Sequence, residues 1–207
     1  MNKYYWLTET KSTATGESDS AASSSKGNRV ESTHNRIYFY SEVTRTNNLT
    51  LNKELRNLED KLVGQAQTLG MENPSPIYLH INSYGGSVFA GFSSVDYILN
   101  SKVPVVTIID GCAASAATLM SICGTHRVMN KHAFMLVHQI SSVAWGKFEE
   151  LKDSMKNNEL LMDTIKNMYI ERTKIPKKKL GEILKHDLWW DAKTCLKYGL
   201  VDDIITS

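Results

Sequence analysis

A chain of 207 residues with 42% hydrophobic content can bury one good core, so one main domain is expected. Its formal net charge of +2 gives no reason to invoke nucleic acid, and no apolar stretch is long enough to span a membrane. Cys112, Cys123 and Cys195 stand in unlike settings that suggest neither a disulfide framework nor a metal site, and the N-terminus lacks the pattern of a signal peptide. A reducing cytoplasm is the expected compartment.

In chain order, the stretch from about Glu9 to Thr33 is rich in Ser, Thr, Ala and Gly and cannot bury enough surface to fold alone. Residues 1–33 therefore read as a mobile or cleavable tail, with Tyr4-Tyr5-Trp6 as a candidate partner anchor. Ile37-Tyr38-Phe39-Tyr40 is a strand candidate. Leu51, Leu55, Leu58, Leu62, Ala66 and Leu69 mark one helical face, capped near Thr50 and stopped by Gly70. A strand over Ile77 to Asn82, a helix over about Val88 to Leu99 and a β-branched strand from Val105 follow, then a helix after Ser115. Short strands are expected at about Arg127 to Met129 and Phe134 to His138.

A long helix then runs from roughly Lys147 to Thr173, with Phe148, Leu151, Met155, Met162, Ile165 and Tyr169 recurring at three- and four-residue steps. At 1.5 Å per residue it spans about 40 Å, more than a small domain covers alone. The basic cluster Lys174 to Lys179 opens a short helix and reads as solvated surface. Asp191 caps a last helix through Leu196-Lys197-Tyr198, which Gly199 ends. Strands alternating with helices imply an α/β fold with a largely parallel sheet.

Chemistry concentrates at Gly111-Cys112-Ala113-Ala114-Ser115-Ala116-Ala117, which sets one hydroxyl among small residues near a strand-to-helix turn. There the free N–H groups and the positive end of the helix face whatever the serine attacks. Gly85-Gly86, after the Ile77 strand, lets backbone approach a ligand closely, so Gly86 and Ala116 are candidate N–H donors. No Gly-x-x-x-x-Gly-Lys-Ser/Thr loop is present, so the chain is not expected to bind ATP.

Ile81-Asn82-Ser83-Tyr84-Gly85-Gly86, Gly111 to Ser115, Met135-Leu136-Val137-His138-Gln139 and Tyr198-Gly199-Leu200-Val201-Asp202 resemble, in order and spacing, the proteolytic subunit of the Clp protease. That family is one of self-compartmentalising serine peptidases, and the likeness covers about Ile37 to the C-terminus. The resemblance implies a crotonase-like spiral of ββα units with a protruding handle helix, over residues 34–207. It makes Ser115 the nucleophile, His138 the general base and Asp187 the carboxylate that orients the histidine. Asp191, Asp202 and Asp203 are nearby carboxylates that local sequence alone does not exclude. His34, His80, His126, His132 and His186 read as surface or hydrogen-bonded histidines.

A serine hydroxyl is a weak nucleophile, so an imidazole with an ordinary pKa of about 6.5 must take its proton and later deliver it to the leaving amine. The resemblance further implies an extended polypeptide substrate clamped by Gly86, Ser87 and Val88 on one side and Ile140, Ser141 and Ser142 on the other. It implies heptameric rings stacked as a tetradecamer through the long helix, and an ATP-dependent unfoldase partner, with no cofactor or metal. Tyr84 stands where the family has proline, Ile140 to Val143 replace a proline- and glycine-containing segment, and the tail departs from the family's axial loops. Altered cleavage preference, or a different route into the chamber, is the expected consequence. The alternatives are a catalytically silent ring subunit and a crotonase-like acyl-CoA enzyme.

Overall fold

The computed structural model describes residues 29–206. The expected tail lies outside them except for Arg29–Thr33, which form strand β1. They are held because β1 pairs antiparallel along its whole length with β2 (Arg36–Tyr40), from Arg29 opposite Tyr40 to Thr33 opposite Arg36. Ladder hydrogen bonds thus order a polar segment that could not fold alone.

Helix α1 (Arg45–Leu69) starts earlier than the expected cap at Thr50. Thr44 is its N-cap, with the hydroxyl accepting from Asn47 N–H at 3.2 Å, while Thr50 lies inside the helix and donates to Thr46 C=O. Tertiary contact explains the shift, since Asn48 is buried and donates to Ala90 C=O and Ser94 Oγ. Gly70 ends α1 at φ 63° as expected, and Leu51, Leu55, Leu58, Leu62 and Ala66 are buried; Leu69, in the last turn, is not.

Strand β3 (Ile77–Ser83) and helix α2 (Val88–Leu99) follow, then β4 (Val105–Ala114), the six-residue α3 (Ala116–Ser121), β5 (His126–Asn130) and β6 (Phe134–Leu136). Helices α4 (Phe148–Arg172) and α5 (Lys177–Leu184), strand β7 (Trp189–Asp191), helix α6 (Ala192–Lys197) and strand β8 (Asp203–Ile205) complete the order. Among the described residues eight strands form one mixed sheet: six run in the order β1-β2-β3-β4-β5-β8, parallel from β2 to β8, and β6 with β7 branches from β4. Alternate residues of β2 and β3, Ile37, Phe39, Ile77, Leu79 and Ile81, are fully buried in one core with the α1 leucines.

The ten residues of β4 position the site. Its first half pairs with β5, and Cys112, Ala113 and Ala114 pair instead with β6. Between the halves the register against β3 slips, and Asn82 fills the irregularity by accepting from Cys112 N–H. A Cβ on Gly111 would sit 2.8 Å from Asn82 Oδ1, so a side chain there would displace the Asn82 amide from the slip. No helix among the described residues is long and apolar enough to cross a membrane.

Candidate active site

Gly111 to Ala114 belong to strand β4, and Ser115 turns the chain from that strand into α3. It does so at φ 53°, ψ −127°, which strains any residue with a Cβ. Ser115 stands at the N-cap of α3 yet makes no capping hydrogen bond, so its half-buried hydroxyl is not spent on the helix. Its N–H donates to Leu136 C=O at 3.0 Å, tying it to the end of β6 two residues before His138. Among the described residues no hydrogen bond joins Ser115 Oγ to His138, whose side-chain partner is Asp187.

Strand pairing selects the carboxylate. Strand β7 runs antiparallel to β6 with Leu136 opposite Trp189 and Phe134 opposite Asp191. Two residues beyond the ladder, the same register sets Asp187 opposite His138, and the side chains meet at 2.7 Å between Nδ1 and Oδ1. A carboxylate only accepts, so Nδ1 is the donor, and in the neutral imidazole Nε2 is then the acceptor nitrogen. Asp191, at the other end of β7, is the N-cap of α6 and accepts from Thr194 N–H at 2.8 Å; the Thr194 hydroxyl and then this N–H hold its carboxyl below the usual range. Asp202 pairs with Arg127, which lowers its pKa, and Asp203 faces His126 at 3.0 Å.

Gly85 and Gly86 wrap the nucleophile. A Cβ on Gly85 would lie 2.7 Å from Ser115 Cβ, and one on Gly86 2.4 Å from Val43 C=O, with both residues at positive φ. Val43 N–H donates to Gly85 C=O and Ser87 N–H to Val43 C=O, a parallel bridge that leaves the N–H of Gly86 on the opposite side. Ser87 also caps α2 and its carbonyl accepts from Gly91 N–H, so its backbone is fully engaged; Val88 opens α2. In the segment after His138, Ile140 N–H points to Met162 Sδ at 3.3 Å, Ser142 Oγ accepts from Asn158, and Ser141 is exposed.

Sequence reasoning missed Trp189, which meets the exposed Tyr84 edge to face at 6.5 Å beside this site. Its only signal was the Trp189-Trp190 pair just after Asp187. Burial pushes the thiols of Cys112 and Cys123 up to about 11 and that of Cys195 to about 12, and all three are free. Among the described residues no group of three or more His, Cys, Asp or Glu side chains could hold a metal ion.

A serine at a strained strand-to-helix turn, packed against Gly85, and a bonded His–Asp pair are the groups that acyl transfer uses in serine hydrolases. The sequence pattern of the Clp protease family matches residues 30–207. Relatives include the ATP-dependent Clp protease proteolytic subunit 1 of Chlamydia muridarum, 31% identical over 83% of this chain and 86% of that protein. The ATP-dependent Clp protease proteolytic subunit 2 of Treponema denticola is 35% identical over 74% of this chain and 77% of that protein. The chain belongs to the Clp protease family and is a serine endopeptidase of that type.

Proposed function

We propose that Ser115 attacks the scissile carbonyl, His138 Nε2 takes its proton, and Asp187 holds the imidazole in the required tautomer and stabilises the imidazolium. The Gly86 and Ala116 N–H groups bind the oxyanion, an effect worth roughly 3 kcal/mol per donor in other serine hydrolases. Collapse of the tetrahedral adduct breaks the C–N bond as His138 protonates the leaving amine, and water then frees the acyl group by the same path. The observation that carries this reading is the 2.7 Å His138–Asp187 bond beside a serine held at φ 53°.

An extended polypeptide is the substrate, lying between Gly86 to Val88 and Ile140 to Ser142. Because Ser87 is engaged with Val43 and α2, Gly86 and Val88 are the residues with backbone groups to offer. Self-association into stacked heptameric rings is supported by the first half of α4 and the loop before it. Val143, Trp145, Phe148 and Met155 are exposed there, whereas only Ile165 and Tyr169 of that helix are buried. An ATP-dependent unfoldase would deliver the substrate.

The test is intact mass after incubation with a serine-directed fluorophosphonate, beside Ser115→Ala. Single-site labelling and peptide cleavage that both vanish in the variant are expected. Cleavage retained by Ser115→Ala would overturn the assignment.

A further inference from the structure

Two residues outside the triad hold the backbone of the nucleophile. The Ser115 carbonyl accepts twice from Thr118, from its N–H at 2.9 Å and from its Oγ1 at 2.6 Å. Thr118 Oγ1 is bonded in turn to the hydroxyl of Tyr169, on α4. Thr118 has a single hydroxyl proton, which Ser115 C=O receives, so the Tyr169 O–H is the donor to Thr118 Oγ1. The relay therefore runs from Tyr169 through Thr118 to Ser115. Both side chains are buried, Tyr169 at 1% and Thr118 at 0% exposure, so water does not take either place. Packing alone would be served by phenylalanine, since a buried hydroxyl is favourable only when bonded.

The consequence follows from peptide geometry. In a planar trans peptide the C=O and N–H point in opposite directions, so whatever fixes Ser115 C=O also aims Ala116 N–H. At φ 53° the strained Ser115 has every reason to rotate that peptide plane, and the bonds from Thr118 oppose the rotation. We propose that Tyr169, acting through the Thr118 hydroxyl, is a positioning residue that aims the Ala116 N–H at the developing oxyanion. The inference rests on the reading of Ser115 and Ala116 given above. Because an oxyanion donor acts mainly in the transition state, loss of the relay lowers kcat and leaves KM nearly unchanged.

The test compares Tyr169→Phe, Thr118→Val, Thr118→Ser and the Tyr169→Phe/Thr118→Val double variant in the full chain. Each is followed by its rate of fluorophosphonate labelling and by steady-state cleavage of a fluorogenic peptide, with thermal unfolding recorded beside them. Tyr169→Phe and Thr118→Val are expected to label and turn over about tenfold more slowly at KM within twofold of wild type. Thr118→Ser restores the rate, and the double variant is no slower than the slower single one. Wild-type labelling rates in Tyr169→Phe, or a loss carried by KM, overturn the inference alone. A wild-type chain that does not label overturns the Ser115 reading and this inference with it.

Discussion

Ser115 sits at φ 53°, where a residue with a Cβ pays on the order of 1–3 kcal/mol of strain. The surroundings sustain it: Leu136 receives its N–H, Thr118 holds its carbonyl, and Gly85 offers no Cβ where one would lie 2.7 Å from its own. The choice among neighbouring carboxylates also belongs to single residues, because Asp187 faces His138 while Asp191 is occupied as a helix cap. Asp187→Asn is expected to lower kcat by on the order of 10⁴ with folding retained, since an amide favours the wrong tautomer. Asp191→Asn should instead leave the labelling rate at Ser115 unchanged and at most reduce the melting temperature. Parallel labelling and melting measurements on the two variants check both.

Between elements, the sheet is tied across its outer face by Asp110. Tyr40 O–H, at 2.6 Å, and His80 Nδ1, at 2.9 Å, share its Oδ2, and Asn130 donates to Oδ1. Arg36 only donates, so His80 Nε2 accepts from it and Nδ1–H serves Asp110, linking β2, β3, β4 and β5. Burial opposes ionisation of Asp110, but the bonds from His80, Tyr40 and Asn130 outweigh it and hold the carboxyl below its usual range. A depressed carboxyl stabilises the fold above its unfolded pKa of about 3.9, and that contribution is lost as pH falls through the lower folded value. Asp110→Asn should therefore cost about 2 kcal/mol at pH 7, with the gap to wild type closing below about pH 4. Urea unfolding at both pH values measures it.

At the scale of the molecule, α4 is divided. Ile165 and Tyr169 anchor its C-terminal part to the core, whereas Phe148, Leu151 and Met155 are exposed at 70%, 41% and 63%. The stripe read as a single helical face is thus half core and half uncovered surface. If a second copy covers it, Leu151→Glu/Met155→Glu should reduce the particle mass in solution while the subunit keeps its melting transition, because neither side chain supports the core. Light scattering coupled to size exclusion reads the mass. An unchanged particle would remove α4 from the assembly surface.

Periodicity, capping residues and small-residue turns are local properties, so the sequence by itself determined the alternating α/β elements, the helix stop at Gly70, the cap at Asp191 and Ser115 at a strand-to-helix turn. The long helix was legible to within a residue at each end. Strand β1 and strand β7 were not, because β1 is mostly polar and the three residues of β7 are too few to show a period, so each is defined by its ladder partner. The start of α1 moved to Thr44 because a buried Asn48, bonded across to α2, outweighed local preference. Likewise Asp187 was reached from sequence only through family resemblance, and Tyr169 stood out only as one residue of the recurring stripe on the long helix. Which carboxylate faces His138, and which hydroxyl reaches Thr118, depend on strand register and helix packing between residues 49 and 51 positions apart, and only tertiary structure decides contacts at that separation.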